Sequence, residues 1–450
     1  MPHRLLPLAL LAALSAQAAT THHDQPPPPA PPPGYDADLW QRAWRLHHDA
    51  LVLDTHSDTT SRILDENFAM RARARDGHMD LPRIAEGGLD AQFYAIYVAA
   101  RYYGREDFTS KETQQASLAD GSARRAFAMI DALRLTIEAN PERMTLCTSV
   151  ADVRAAVAAG KHAALMGIEG GHAIEGDLRL LREFYRAGVR YMTLTHGNHN
   201  QYADSSGEAE PRWGGLNRLG EKVVKEMNRL GMLVDVSHVS DATFWHALRV
   251  TRAPVICSHS SCRALCGHPR NVTDEMLRAV AANGGVVMIN FNCGFLDDDY
   301  GKAAAAYRSQ LALREQAIGK TFAPGSPEHE KALADLRQRL RPPEPPGIER
   351  LIAHIMHAIE VAGVDHVGLG SDFDGVPCVP SGLDDVTGLP RITYWLLARG
   401  IDEAGVRKVL GENLLRVFAA AEQVALSLRA EPPYQNDATD ALPGEASEKR

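Results

Sequence analysis

The chain has 450 residues, with 48 Lys and Arg against 57 Asp and Glu, for a formal net charge of −9. That balance speaks against nucleic acid or an anionic membrane surface as a partner. An apolar fraction of 45% with 23% charged residues is that of a soluble globular protein, and the length admits two or three domains or one large barrel with insertions.

Residues 1–18 read as a secretory signal, with Arg4 in the n-region, an apolar core at Leu5–Leu14 and an A-x-A cleavage site at Ala16-Gln17-Ala18. The apolar run is too short to span a bilayer. No cysteine precedes Cys147, and the polar end Asp437–Arg450 is unlike a GPI signal. The expectation is an exported protein, periplasmic or secreted, without a membrane anchor. Residues 19–40 are a Pro-rich linker, with QPPPPAPPPG at Gln25–Gly34, expected to be extended and disordered. A folded domain over 41–425 follows, then a polar tail over 426–450.

Eight short apolar runs read as buried parallel strands: Leu51–Asp54, Ala91–Val98, Ala163–Ile168, Arg190–Leu194, Met232–Val236, Pro254–Cys257, Val286–Phe291 and His366–Leu369. Helical segments separate most of them, at Ala123–Asn140, Leu178–Ala187, Gly215–Leu230, Asp241–Val250, Thr273–Ala282 and Ile348–Gly363, with Ser240 or Asp241 as the cap of the fourth. The fold class expected is α/β, a (β/α)8 TIM-type barrel. The connection over 297–346 is long, carries two charged helical stretches at Lys302–Ile318 and Pro327–Leu340, and reads as a helical insertion before strand eight. It is either a lid over the catalytic face or surface decoration.

Metal-ligand residue types cluster just past the strands: His56 and Asp58, Glu169 and His172, His196 and His199, His238, His259, and Asp372 with Asp374. In a barrel these share the catalytic face, and the opposite strand ends carry no comparable set. A two-metal site needs a bridging carboxylate between ions about 3.5–4 Å apart. His56 and Asp58 stand at i and i+2, on one side of an extended chain. Glu169 suits the bridge, and His238 and His259 complete the second ion. The hard and borderline donors suit zinc first, then manganese or cobalt.

Seven motifs now carry a resemblance: DTHSD at 54–58, GIEGGHAIEGDL at 167–178, RYMTLTH at 190–196, LVDVSHVS at 233–240, APVICSHSSCRAL at 253–265, HPRNV at 268–272 and GLGSDFDG at 368–375. The chain resembles the membrane (renal) dipeptidase family of dizinc peptidases from about His48 to Ala421. The resemblance implies a metallo-dipeptidase that cleaves L,L and L,D dipeptides with a metal-bridging hydroxide. It implies two Zn2+ ions, held by His56 and Asp58 and by His238 and His259, with Glu169 between them. His196 is implied to contact substrate and steady the oxyanion, Arg270 to pair with the substrate carboxylate, and Asp372 to handle protons. A homodimer is expected on the same ground. Another hydrolase on the same dizinc barrel, an N-acyl amino acid deacylase or a lactonase, is the alternative.

Several residues read as structural. Asp80 is expected to cap a helix with Pro82 in its first turn, which removes His78-Met79-Asp80 as a ligand pair. His354 and His357 fall on the helix before strand eight, and His172 and His199 read as supporting residues. Asp374 and Arg263 compete with Asp372 and Arg270, and the family motifs favour the latter pair. The LTHGNHN stretch lacks a cysteine found in animal relatives, so their disulfide pattern does not transfer. A Cys266–Cys293 bridge is one candidate among the 15 full pairings of six cysteines, between which the sequence does not choose.

Overall fold

Strands that are apolar on both faces must be covered on both faces. The computed structural model, which describes residues 27–103 and 121–444, meets this by closing the sheet on itself inside a layer of helices. The strands are β1 (Leu53–Ser57), β2 (Ala91–Tyr97), β3 (Met144–Leu146), β4 (His162–Glu169), β5 (Val189–Thr193), β6 (Leu233–Asp235), β7 (Ile256–Cys257), β8 (Val286–Ile289) and β9 (Val367–Leu369). They run parallel in the order β2-β1-β9-β8-β7-β6-β5-β4-β3, and a β2–β4 ladder from Ala91↔Ala163 to Tyr97↔Glu169 closes the ring. The chain is therefore a (β/α)8 barrel. The expected leader over 1–18, the first part of the expected linker and the last six residues lie outside the described residues. Among the described residues, no helix is long and apolar enough to cross a membrane.

Two details depart from the sequence reading. β3 is an added strand: it flanks the first residues of β4, on the edge that β5 occupies from Met166 onward. β1 also begins and ends later than expected, so His56 lies on the strand and not past it. Three polar residues in THS ended the apolar run early, yet all are fully buried because the site itself covers them.

Alternate strand residues divide the core. Leu53, Phe93, Leu165, Tyr191, Leu233, Ile256 and Met288 fill the barrel interior, joined by Leu414 and Phe418 of the helix Asn413–Ser427. Their neighbours Tyr94, Met166, Met192, Val234 and Val287 pack with the helical layer. Helix ends follow local chemistry: Ser240 accepts from Thr243 N at the start of Asp241–Val250, and Asp80 accepts from Arg83 N ahead of Pro82. Asn217 caps Arg218–Leu230, three residues later than the apolar pattern suggests, because Gly214 and Gly215 adopt positive φ.

After β8, a short helix at Cys293–Leu296 leads into the paired helices Asp298–Thr321 and Pro327–Arg339, in which only Ala304 and Leu336 are buried. Cys293 is bonded to Cys378, not to Cys266. Cys266 is instead a buried thiol directed at the Asp298 carboxylate and the Gly294 carbonyl. The candidate Cys266–Cys293 bridge is thus corrected. The true partner lies in the loop after β9, 85 residues on, a pairing that only barrel closure creates.

Candidate metal centre

The turn after β9 is laced to the end of β1. Asp372 N donates to His56 O at 3.0 Å, and Asp58 N donates to Phe373 O at 2.8 Å. Asp58 stands at the cap position of the helix Thr59–Asp65 but makes no capping bond, so its carboxylate faces elsewhere. Gly375 is required here, because a Cβ would sit 2.1 Å from Asp58 Oδ2 and 2.6 Å from Asp372 Oδ1. β4 delivers Glu169, the β5 loop His196, the β6 loop His238 and the β7 loop His259. His238 and Asp372 both hold φ of +64°, a conformation that costs a non-glycine residue about 1–3 kcal/mol and clusters at functional sites.

These side chains converge on Glu169. Its Oε1 lies 2.9 Å from His238 Nε2, 3.3 Å from His259 Nε2 and 3.7 Å from His196 Nε2. Its Oε2 lies 3.4 Å from His56 Nε2, which stands 3.5 Å from Asp58 Oδ2 and 4.0 Å from Asp372 Oδ1. Three groups have donor atoms within 4.8 Å of one another: His56, Glu169 and His259; Glu169, His196 and His238; and His56, Asp58 and Asp372. Glu169 belongs to two of them, and the first joins His56 to His259 across the site.

Hydrogen bonding fixes which imidazole nitrogens are free. Tyr191 donates its one proton to Thr55 O, so its oxygen accepts from His56 Nδ1 at 2.8 Å. His56 Nε2 is buried and without a hydrogen-bond partner, as is Asp58 Oδ1; burial alone would lower the His56 imidazole, but Tyr191, Glu169 and Asp58 outweigh it and hold it well above its usual range. Ser258 donates to Asp235 Oδ2 at 2.6 Å and accepts from His259 Nδ1 at 2.7 Å, which frees His259 Nε2 in the same way. That nitrogen faces His238 Nε2 at 2.9 Å. Donor atoms on a four-coordinate zinc stand roughly 3.3 Å apart, given bonds of about 2.0–2.1 Å. The spacing of these donors matches that, and their chemistry fits a small divalent cation.

Charge in the site is strongly tuned. Burial, aided by the Arg270 charge, holds His238 and His259 well below the usual imidazole range, in the neutral form that ligates metal. Burial alone would raise Glu169, but His56, His196 and the bonds from His238 and His259 outweigh it and hold the carboxyl well below its usual range. Burial pushes Asp372 up to about 8, opposed by His56 and reinforced by the Asp58 and Glu169 carboxylates. Its Oδ2 accepts from Asn290 Nδ2 at 2.9 Å, leaving Oδ1 toward His56.

Arg270 and His196 flank this cluster. Arg270 is buried, donating from Nη2 to His259 O at 3.0 Å and from Nη1 to Ser260 Oγ at 3.3 Å. Its Nε has no partner, and among the described residues it forms no ion pair within 4.0 Å. Arg263, by contrast, is taken up by both oxygens of Asp241 at 2.7 and 2.8 Å. Asp374 is likewise engaged, accepting from Thr59 Oγ1 and from His78 N. His196 stands with its ring centroid 4.3 Å from His238 and 4.8 Å from Tyr97, and burial lowers its pKa. Its carbonyl accepts from Ser205 Oγ, which pins the loop.

The other histidines singled out in the sequence make contacts within the fold. His172 meets Val98 O, His199 meets Glu210 O, His354 meets Cys262 N and Leu296 O, and His357 meets Asp274. Tyr191, Asn290, Asp235 and Ser258 are supporting residues that the sequence reading missed. Asp235 carried a signal, a carboxylate inside the apolar run MLVDV, which is rare without a dedicated set of donors.

A family model described as membrane dipeptidase, peptidase family M19, matches residues 40–432. Dipeptidase verJ of Clonostachys rogersoniana is 34% identical over 394 residues, 86% of this chain and 88% of that one. Dipeptidase tcpJ of Claviceps purpurea is 36% identical over 366 residues, 81% of this chain and 74% of that one. A solved metallo peptidase from Rhodobacter sphaeroides, liganded with a phosphinate mimic of the dipeptide L-Ala-D-Ala, is 27% identical with a TM-score of 0.64, over 83% of this chain and 99% of that one. The probable dipeptidase PvdM from Pseudomonas aeruginosa is 24% identical with a TM-score of 0.72, over 87% and 100%, a likeness of fold.

Proposed function

The chain belongs to peptidase family M19, the membrane dipeptidase family, and is a metallo-dipeptidase; from that premise we propose that its cofactor is a pair of zinc ions bridged by Glu169. His56 and Asp58 hold one ion, and His238 and His259 hold the other. The observation that carries this reading is the pair of buried, unpartnered donors, His56 Nε2 and Asp58 Oδ1, beside a carboxylate that reaches both halves of the site.

When bound, such a pair lowers the pKa of a shared water toward neutrality and polarises the scissile carbonyl. The chain's own groups do the rest. Arg270 receives the C-terminal carboxylate of the dipeptide in its unpaired guanidinium and so sets the register of the peptide bond. Asp372 takes the water proton on Oδ1 and returns it to the leaving amine nitrogen, while Asn290 holds Oδ2. His196, neutral and the most exposed histidine of the cluster, donates to the developing oxyanion.

The substrates are L,L and L,D dipeptides. The L-Ala-D-Ala mimic held by the Rhodobacter relative supports the second stereochemistry. Export through the 1–18 leader and a homodimer complete the reading. The test is ninhydrin-detected cleavage of a free-amino dipeptide panel by zinc-reconstituted protein, with chelated protein as control. Zinc-dependent cleavage of both series is expected. Turnover of N-acyl amino acids or lactones, with every dipeptide intact, would overturn the reading.

A further inference from the structure

The Pro-rich segment before the barrel, expected to be a disordered linker, is docked on the protein. Gly34, at φ +83°, turns the chain, and Tyr35 N donates to Pro32 O at 3.1 Å. The prolines then lie back along the helix Ala37–Asp49, where Trp40 Nε1 donates to Pro29 O at 2.9 Å. Pro28 and Pro32 are partly buried while their neighbours are exposed, so the segment meets the protein at separate points.

Trp40 belongs to an aromatic cluster separate from the barrel core. Trp40, Trp44 and Tyr394 are buried in a cluster of their own, with Tyr35 and Trp395 packed against it. Tyr35 stacks on Tyr394 at 4.1 Å and meets Trp40 and Trp395 edge-on, both at 5.8 Å. The polar edges are satisfied: Trp395 Nε1 donates to Tyr35 Oη at 2.8 Å, and Tyr394 Oη accepts from Asp36 N at 3.0 Å. None of the metal-centre residues belongs to this cluster.

We propose that this aromatic face is a polyproline-II binding site, filled in cis by the chain's own residues 27–33. A polyproline-II helix has no internal hydrogen bonds, so its carbonyls are free to accept, and it loses little entropy on docking. Aromatic grooves that recognise Pro-rich peptides use stacked rings to seat the prolines. Here Tyr35, Trp40 and Tyr394 supply the rings, and the Trp40 indole N–H reads a backbone carbonyl. A short tether gives the cis segment an effective concentration of about millimolar, so the free ligand is best tested on a chain from which the segment has been removed.

The test is indole fluorescence of a chain that begins at Tyr35, titrated with the acetylated peptide PPPPAPPPG, with retained dipeptidase turnover as the check on folding. A saturable change is expected, with none from a Gly/Ser peptide of equal length. Trp40→Phe keeps a ring but removes the donor, and should weaken the peptide roughly two- to tenfold. No saturable response, an equal response to the Gly/Ser peptide, or unchanged affinity in Trp40→Phe would overturn the proposal. A second arm uses the full-length chain with the prolines at 27–33 replaced by Gly and Ser. Red-shifted indole emission and faster proteolysis ahead of Tyr35 are expected, and no change in either overturns the proposal.

Discussion

At the amino ends of the strands, His162 uses both ring nitrogens inside the protein, Nδ1 on the Leu89 carbonyl at 3.1 Å and Nε2 on the Tyr94 hydroxyl at 3.0 Å. His47, nearby in chain order before β1, does the same with Thr393 and Gly87. At the carboxyl ends, His56 and His259 are as deeply buried, set Nδ1 on a hydroxyl and turn Nε2 toward Glu169, that of His259 also meeting His238 Nε2 at 2.9 Å. Burial and residue type are the same at the two ends. What separates a candidate ligand from a core histidine is the second nitrogen: set on a neutral backbone or hydroxyl oxygen in one case, turned toward the Glu169 carboxylate in the other.

The largest expected effect comes from removing the proton carrier while leaving the donors alone. Asp372→Asn should lower kcat by about 10²- to 10⁴-fold with zinc content unchanged by elemental analysis. Loss of metal in that variant would make Asp372 a ligand. Arg270→Met should lower kcat/KM roughly 10- to 150-fold, the worth of charge-assisted bonds to a carboxylate, chiefly through KM. Equal KM for dipeptides in this variant would remove the clamp. Ser258→Ala breaks the link from Asp235 to His259 and should weaken zinc binding about 10- to 100-fold in chelator competition, with turnover recovering at high zinc.

The smallest effect should fall at the other end of the barrel. His162→Gln should leave zinc content and kcat unchanged. It should alter the acid limb of stability instead. Burial lowers His162 to about 4, against an ordinary value near 6.5. The unfolded chain therefore binds a proton that the folded chain refuses between those values. Stability from this site is complete above pH 6.5 and falls as pH drops toward 4. Thermal melts between pH 4 and 7 should be flatter in the variant, and an unchanged slope would place the acid sensitivity elsewhere.

The barrel and the residues of the metal centre were legible because short motifs spell them. HSD places two candidate donors at the end of β1, Glu169 is the last residue of β4, and His238, His259 and Asp372 follow β6, β7 and β9. The supporting contacts were not legible. Tyr191 reaches His56 across the barrel interior, in space kept open by Gly167, where a Cβ would meet the Tyr191 ring at 2.0 Å. Nothing local in RYMTL announces that reach. Asn290 meets Asp372 and Cys293 meets Cys378 only because β8 and β9 are neighbours in the closed sheet. The aromatic cluster around Trp40 likewise includes Tyr394, which is remote in sequence.

The central claim is that Glu169 joins two ions, and elemental analysis of the zinc-reconstituted chain alongside Glu169→Ala addresses it directly. Two zinc per chain in the parent protein, with zinc and dipeptide turnover both lost in Glu169→Ala, is the predicted result. Two tightly bound zinc ions retained in Glu169→Ala would contradict the account.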